Sequence, residues 1–195
     1  MFRAKHLENI IYKNNMVDLK TKYNKTVLPA LKDQFGYKNN LEAPRILKIV
    51  VNIGSGRLKD DKIASQEIVR LLSLITGQKS SPRQSKKSIA SFKTRTGMVI
   101  GYKVTLRRKM MYDFLDKLIN ISLPRMRDFR GLNSKFIDEG GNLNLGFKEY
   151  TSFPEIIGED FKNIYGLEIS IVTNAASHKN GLEFFKLLGF PFQKS

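Results

Sequence analysis

The stretch RILKIVVNI, residues 45–53, decides the fold. Leu47, Ile49, Val51 and Ile53 fall on one side of an extended chain, and Ile46, Lys48, Val50 and Asn52 on the other. A period of two is that of a strand, here with one apolar and one polar-tinged face. The apolar side needs a cover, and the next segment supplies one. Asp60 or Asp61 is placed to cap a helix that carries Ala64, Ile68, Leu71, Leu72 and Ile75 at helical spacing and closes at Gly77.

Working outward, a second alternating run puts Met98, Ile100, Tyr102, Val104 and Leu106 on one face and Lys103, Thr105 and Arg107 on the other. Met111, Phe114, Leu115, Leu118 and Ile119 mark a helix that ends near Pro124. Strands are expected near 143–149 and 167–173, and a last helix near 178–188 before Gly189 and Pro191. Toward the N-terminus, Leu19, Tyr23, Val27, Leu31 and Phe35 recur every four residues before Gly36, the pattern of an amphipathic helix with Pro29 as a possible kink. Residues 1–18 read as a basic extension, and 19–195 as a single domain. The expected class is α+β: a largely antiparallel sheet with helices packed on one face, leaving the other face and the loops basic.

Composition narrows the function. Lys and Arg number 34 against 18 Asp and Glu, for a net charge of +16, which favours a polyanionic partner. With 41% apolar residues and 13 Phe, the chain has enough to build a core. There is no Cys, which excludes disulfides, thiolate metal sites and a Cys nucleophile. No apolar run approaches the roughly 20 residues of a membrane-spanning helix, so no membrane partner is expected. The N-terminus lacks the apolar core of a secretory signal.

The charge is concentrated. Between Glu67 and Asp113 no acidic residue occurs, while Arg70, Lys79, Arg83, Lys86, Lys87, Lys93, Arg95, Lys103, Arg107, Arg108 and Lys109 all fall there. Such a window suits a phosphate backbone, and its salt dependence should be steep. Ser80, Ser81, Ser85, Ser88 and Ser91 add hydroxyl donors. Phe92, between basic neighbours, is placed equally well to stack on a base or to enter the core of the following strand.

Enzyme chemistry finds little support. Gly54-Ser55-Gly56 follows a strand, but neither a third glycine at dinucleotide-binding spacing nor a Gly-Lys-Ser/Thr follows it. The glycines more simply allow a tight turn or close approach of backbone to a ligand. His6 and His178 are isolated, and Asp113 and Asp116 share a helix with Lys109 and Lys117, where ion pairing explains them. No catalytic residue, metal site or cofactor is expected.

Several motifs in one order then point to a family. APRILKIVVNIGSG (43–56), TGQK (76–79), KKSIASFKTRTGMVIGYKVTLR (86–107), LPRMRDFRGLN (123–133), GNLNLGFKE (141–149), FPEI (153–156) and GFPF (189–192) resemble, in order and spacing, the large-subunit ribosomal protein that binds 5S RNA. The similarity spans about residues 20 to 194. It implies attachment of 5S ribosomal RNA to large-subunit ribosomal RNA in the central protuberance, through the sheet face opposite the helices, beside neighbouring central-protuberance proteins. It also implies a place in the ribosome of a bacterial cytoplasm or of an organelle.

By position in the matched motifs, the resemblance makes Arg45, Lys48, Asn52, Gly54, Gln78, Lys79, Lys87, Ser88, Phe92, Lys93, Arg95 and Arg107 the ribosomal RNA contacts. The loop between the second helix and the second strand, Ser80, Ser81, Pro82, Arg83, Gln84, Ser85 and Lys86, would reach peptidyl-site transfer RNA. Gly131, Leu132 and Asn133, with Glu139, Gly140, Gly141 and Asn142, would meet a protein of the small-subunit head in an intersubunit bridge. Arg125, Arg127 and Arg130 are either further RNA contacts or, with Asp128, local structure. The chain departs from the family at the 138–142 turn, where the usual basic residue is missing, and at Arg57, where an acid is common. A free-standing regulatory nucleic-acid binder and a phosphate-handling enzyme using the Gly54 turn are the competing readings.

Overall fold

The computed structural model describes residues 19–56, 58 and 61–193. The proposed extension 1–18, Arg57 and Asp60 lie outside them. Five strands form one antiparallel sheet: β1 (Ile46–Gly54), β2 (Ser81–Gln84), β3 (Val99–Leu106), β4 (Leu143–Phe147) and β5 (Leu167–Thr173), in the order β2-β3-β1-β5-β4. Among the described residues four helices accompany it. Helix α1 joins Leu19–Lys22 to Leu28–Phe35 through a π-helical turn, Tyr23–Val27. Helix α2 is Lys62–Thr76, α3 is Arg108–Lys117 with a π-helical turn Leu118–Ser122 at its end, and α4 is His178–Leu188. The expected α+β class with an antiparallel sheet stands.

The helix boundaries follow from chemistry named in the sequence. Of the two candidate caps, Asp61 accepts from the backbone N–H groups of Ile63 and Ala64 at 2.8 and 3.1 Å, filling donors that a first turn leaves unpaired. Pro29 cannot donate, and its ring crowds the preceding turn; the wider π-turn just before it absorbs the misfit, so α1 continues.

Register sorts the side chains. Ile49, Val51 and Ile53 stand opposite Leu106, Val104 and Tyr102 of β3; Ile49 and Val51 also face Ile171 and Ile169 of β5. Leu143, Leu145 and Phe147 extend the layer through β4. Onto this face pack Leu31 of α1, Ile68, Leu71 and Leu72 of α2, Phe114 and Leu115 of α3, and Phe184 and Phe185 of α4, all buried.

One expectation for β1 is corrected. Leu47 is 41% exposed and Ile46 is buried, the reverse of the strict alternation. A bulge between Ile46 and Lys48, where β1 pairs with Thr173 and Val172, resets the faces. A second correction concerns residues 80–86. The sequence predicts a loop there, but Ser81–Gln84 form the edge strand β2, paired with β3. Pro82 disguises it, yet proline is tolerated on an edge. Among the described residues no helix is long and apolar enough to cross a membrane.

Candidate nucleic-acid interface

None of the described helices packs on the second face of the sheet. In register order one row reads Ser81, Lys103, Asn52, Glu168 and Gly146, from β2 to β4, and the next reads Thr105, Val50, Ser170 and Asn144. Each of these residues is exposed or half-exposed. The expected basic character holds toward β2, where Arg83 and Lys103 lie, and at Lys48 on β1. On β5 and β4 the surface carries Glu168 and otherwise short uncharged side chains. Such groups read sugar hydroxyls and base edges rather than grip phosphates.

Four more cations of the acid-free window sit beyond the sheet. Between Gln84 and Val99 the β2–β3 connection projects as a structured hairpin tip with its own antiparallel bridge, Ile89 to Thr94, and a 3-10 turn at Ala90–Phe92. The Ser88 hydroxyl accepts from the Thr96 backbone N–H at 3.0 Å, Gly97 donates to the Ser85 carbonyl, and Lys93 takes the left-handed conformation, φ 48°. These contacts hold Lys86, Lys87, Lys93 and Arg95 in exposed positions on a short, acid-free projection. Phe92 is 70% exposed, so of its two readings the core one is overturned.

The residues singled out in the sequence thus fall into separate groups. Lys48, Asn52 and Gly54 share the open face, with Arg45 just before β1 and exposed Arg107 just after β3. Gln78 and Lys79 are exposed where α2 leads into β2, but Ser80 is buried. Lys87, Ser88, Phe92, Lys93 and Arg95 belong to the tip and not to the sheet. Thr105 stands on the basic face of its strand in the sequence, but Ser170 and Asn144 escape that reading, because their place beside Asn52 depends on strand pairing. The alternation in LEISIVT, 167–173, is the signal that could have found Ser170.

The two segments expected to form a bridge, 131–133 and 139–142, are brought together at the start of α4. His178 Nε2 lies 3.1 Å from the Ser134 carbonyl, and the Ser177 carbonyl closes on Gly141. Leu132 and Gly141 are buried, which withdraws their side of the expected contact surface; Asn133, Glu139 and Gly140 are exposed. Asn142 is committed internally, donating to the Asp138 carboxylate and accepting from Thr173 N–H. Burial alone would raise the Asp138 carboxyl, but hydrogen bonds from Asn142 and from the Gly140 backbone outweigh it and hold its pKa below the usual value. The Arg127–Asp128 contact is 4.0 Å between strongly exposed groups, too weak to fix this loop.

Comparison with known proteins assigns the chain to a family. The sequence model of the family described as "Ribosomal protein L5" matches residues 39–95, and the model of the same ribosomal family's C-terminus matches 99–192. The chain is 51% identical over 178 residues to the "Large ribosomal subunit protein uL5" of Desulforapulum autotrophicum, covering 91% of this chain and 99% of that one. It is 47% identical to the protein of the same name from Halothermothrix orenii, over 90% and 98% of the two chains. For that of Clostridium kluyveri the figures are 48% identity over 89% and 96%. These relatives are ribosomal proteins and not enzymes, which decides against phosphate-handling chemistry at the Gly54 turn. With both halves of the domain matched, the chain belongs to the ribosomal protein L5 family.

Proposed function

We propose that this large-subunit ribosomal protein of the bacterial type attaches 5S ribosomal RNA to large-subunit ribosomal RNA in the central protuberance, with the open sheet face as its principal RNA surface. The observation that carries this reading is the juxtaposition of two surfaces of different chemistry. The face around Asn52 offers short polar groups suited to sugars and base edges, and the flanking segments supply the cations that hold phosphates. Arg45, Lys48, Asn52, Gly54, Gln78, Lys79 and Arg107 act there.

The contact to peptidyl-site transfer RNA is proposed for the hairpin tip, residues 85–98. Ser81–Gln84 are exposed but held in the sheet edge at the base of this tip. Lys86, Lys87, Lys93 and Arg95 give the tip its grip. The bridge to a small-subunit head protein is proposed for the exposed Asn133, Glu139 and Gly140 beside α4, without the basic residue usual in the turn.

The test is binding of the purified protein to 5S RNA and to an unrelated structured RNA of equal length, across salt from about 50 to 200 mM. A preference for 5S RNA that survives at the higher salt supports the reading. Equal binding to both that salt erases would leave only a nonspecific charge interaction.

A further inference from the structure

The Gly54–Gly56 turn, one side of the hairpin tip and the loop Ile164–Gly166 enclose a groove of about 790 Å³, within the ~300–1,000 Å³ of small-molecule pockets. Its walls are apolar and unusually open. Ile89 is exposed, and Phe92 and Ile164 are each 70% exposed. Clustered apolar exposure of this kind marks an interaction site rather than a solvated surface.

The floor adds two observations. Gly54 and Gly56 have no positive φ, and a Cβ built at either meets no atom of the described residues within 4 Å. The fold itself therefore has no use for glycine there, whereas a flat guest lying against the backbone does. Between them Ser55 is only 3% exposed, and its hydroxyl has no hydrogen-bond partner among the described residues. A buried hydroxyl left unpaired is costly and rare. The rim is the acid-free hairpin with exposed Lys87, Lys93 and Arg95. A largely apolar slot with cations along its hairpin side and a polar atom at its base matches a flat heterocycle on a phosphate chain.

We infer that the groove receives one unpaired nucleobase of RNA. Phe92 stacks on its face, Ser55 meets its polar edge, and the cations of the tip hold the flanking phosphates. A paired base cannot enter, because it must leave its stack to expose both faces. The inference rests on the RNA-binding reading above and adds a preference for extruded bases.

The test uses the full chain and two RNA hairpins with the same stem, one fully paired and one with a single bulged adenine. Stacking of one base predicts roughly 5- to 150-fold tighter binding of the bulged RNA. The ratio falls to about one in Phe92→Ala and is retained in Phe92→Tyr. It also falls in Gly56→Val, which fills the groove where no neighbour is displaced; circular dichroism and the thermal midpoint check that each variant folds. A wild-type ratio near one overturns the inference and leaves the groove to an apolar side chain of a neighbouring protein. A ratio that survives either Phe92→Ala or Gly56→Val overturns it as well. Failure of the underlying reading looks different, as neither hairpin would then bind in a salt-dependent way.

Discussion

Asn52 stands directly opposite Lys103 in the β1–β3 ladder, on the sheet face that none of the described helices covers. An uncharged amide and an ammonium group thus share one patch, and the two separate by their response to salt. Lys103→Ala should remove one phosphate contact and shallow the dependence of log affinity on log salt by roughly 0.7–0.9. Asn52→Ala should weaken binding by about 1 kcal/mol, one hydrogen bond's worth, with the slope unchanged. Filter-binding titrations of both variants against 5S RNA decide the matter, and a changed slope for Asn52→Ala would remove it from the uncharged contacts.

The hairpin tip makes a second prediction, because its cations project away from the sheet. Lys87→Ala and Lys93→Asn should each shallow the salt slope by about one counterion. Asn is chosen at 93 because it tolerates the left-handed φ of 48° better than Ala does. With transfer RNA added to assembled ribosomes, the same variants should weaken peptidyl-site occupancy. Slopes indistinguishable from wild type in both would take the tip out of the RNA-binding surface.

Gly181 of α4 rests on Gly141 so closely that a Cβ there would lie 2.7 Å from the Gly141 Cα. Gly181→Ala should therefore destabilise the fold by about 1–3 kcal/mol, despite the better helix propensity of alanine. Urea unfolding would show it as a lower midpoint at constant m. The motif around Gly141 suggests a bridge contact, yet the turn it occupies serves to seat α4 against β4 and β5.

Much of the fold is legible along the chain because its determinants are local. The caps at Asp61, Gly36 and Gly77 and the alternation in β3 need no tertiary information. What the sequence hides depends on partners. Leu47 reads as core because a bulge, which pairing with β5 creates, leaves no mark in the hydropathy of RILKIVVNI. β2 escapes notice because an edge strand with four exposed residues has no apolar face to betray it. The site divides in the same way: Asn52 and the tip cations are visible as motif and charge, but Ser170 and Asn144 join Asn52 only through the order β3-β1-β5-β4.

Tyr165 offers a test of the interior beside the groove. Its hydroxyl donates to Glu67 Oε2 at 2.7 Å, and burial, reinforced by that carboxylate, raises its pKa to about 12. In the unfolded chain the value returns to about 10. Below pH 10 the phenol is protonated in both states, and its contribution to stability is fully present. Between pH 10 and 12 the unfolded state loses the proton while the folded state keeps it, so this contribution declines by up to about 1.4 kcal/mol per pH unit. Tyr23, Tyr37 and Tyr150 are also raised, which makes the difference between proteins the informative quantity. Tyr165→Phe should be less stable at neutral pH by about 1 kcal/mol for the lost hydrogen bond, and its stability should fall less steeply than wild type from pH 10 to 12. Parallel curves across that window would show that Glu67 and burial do not hold the Tyr165 proton.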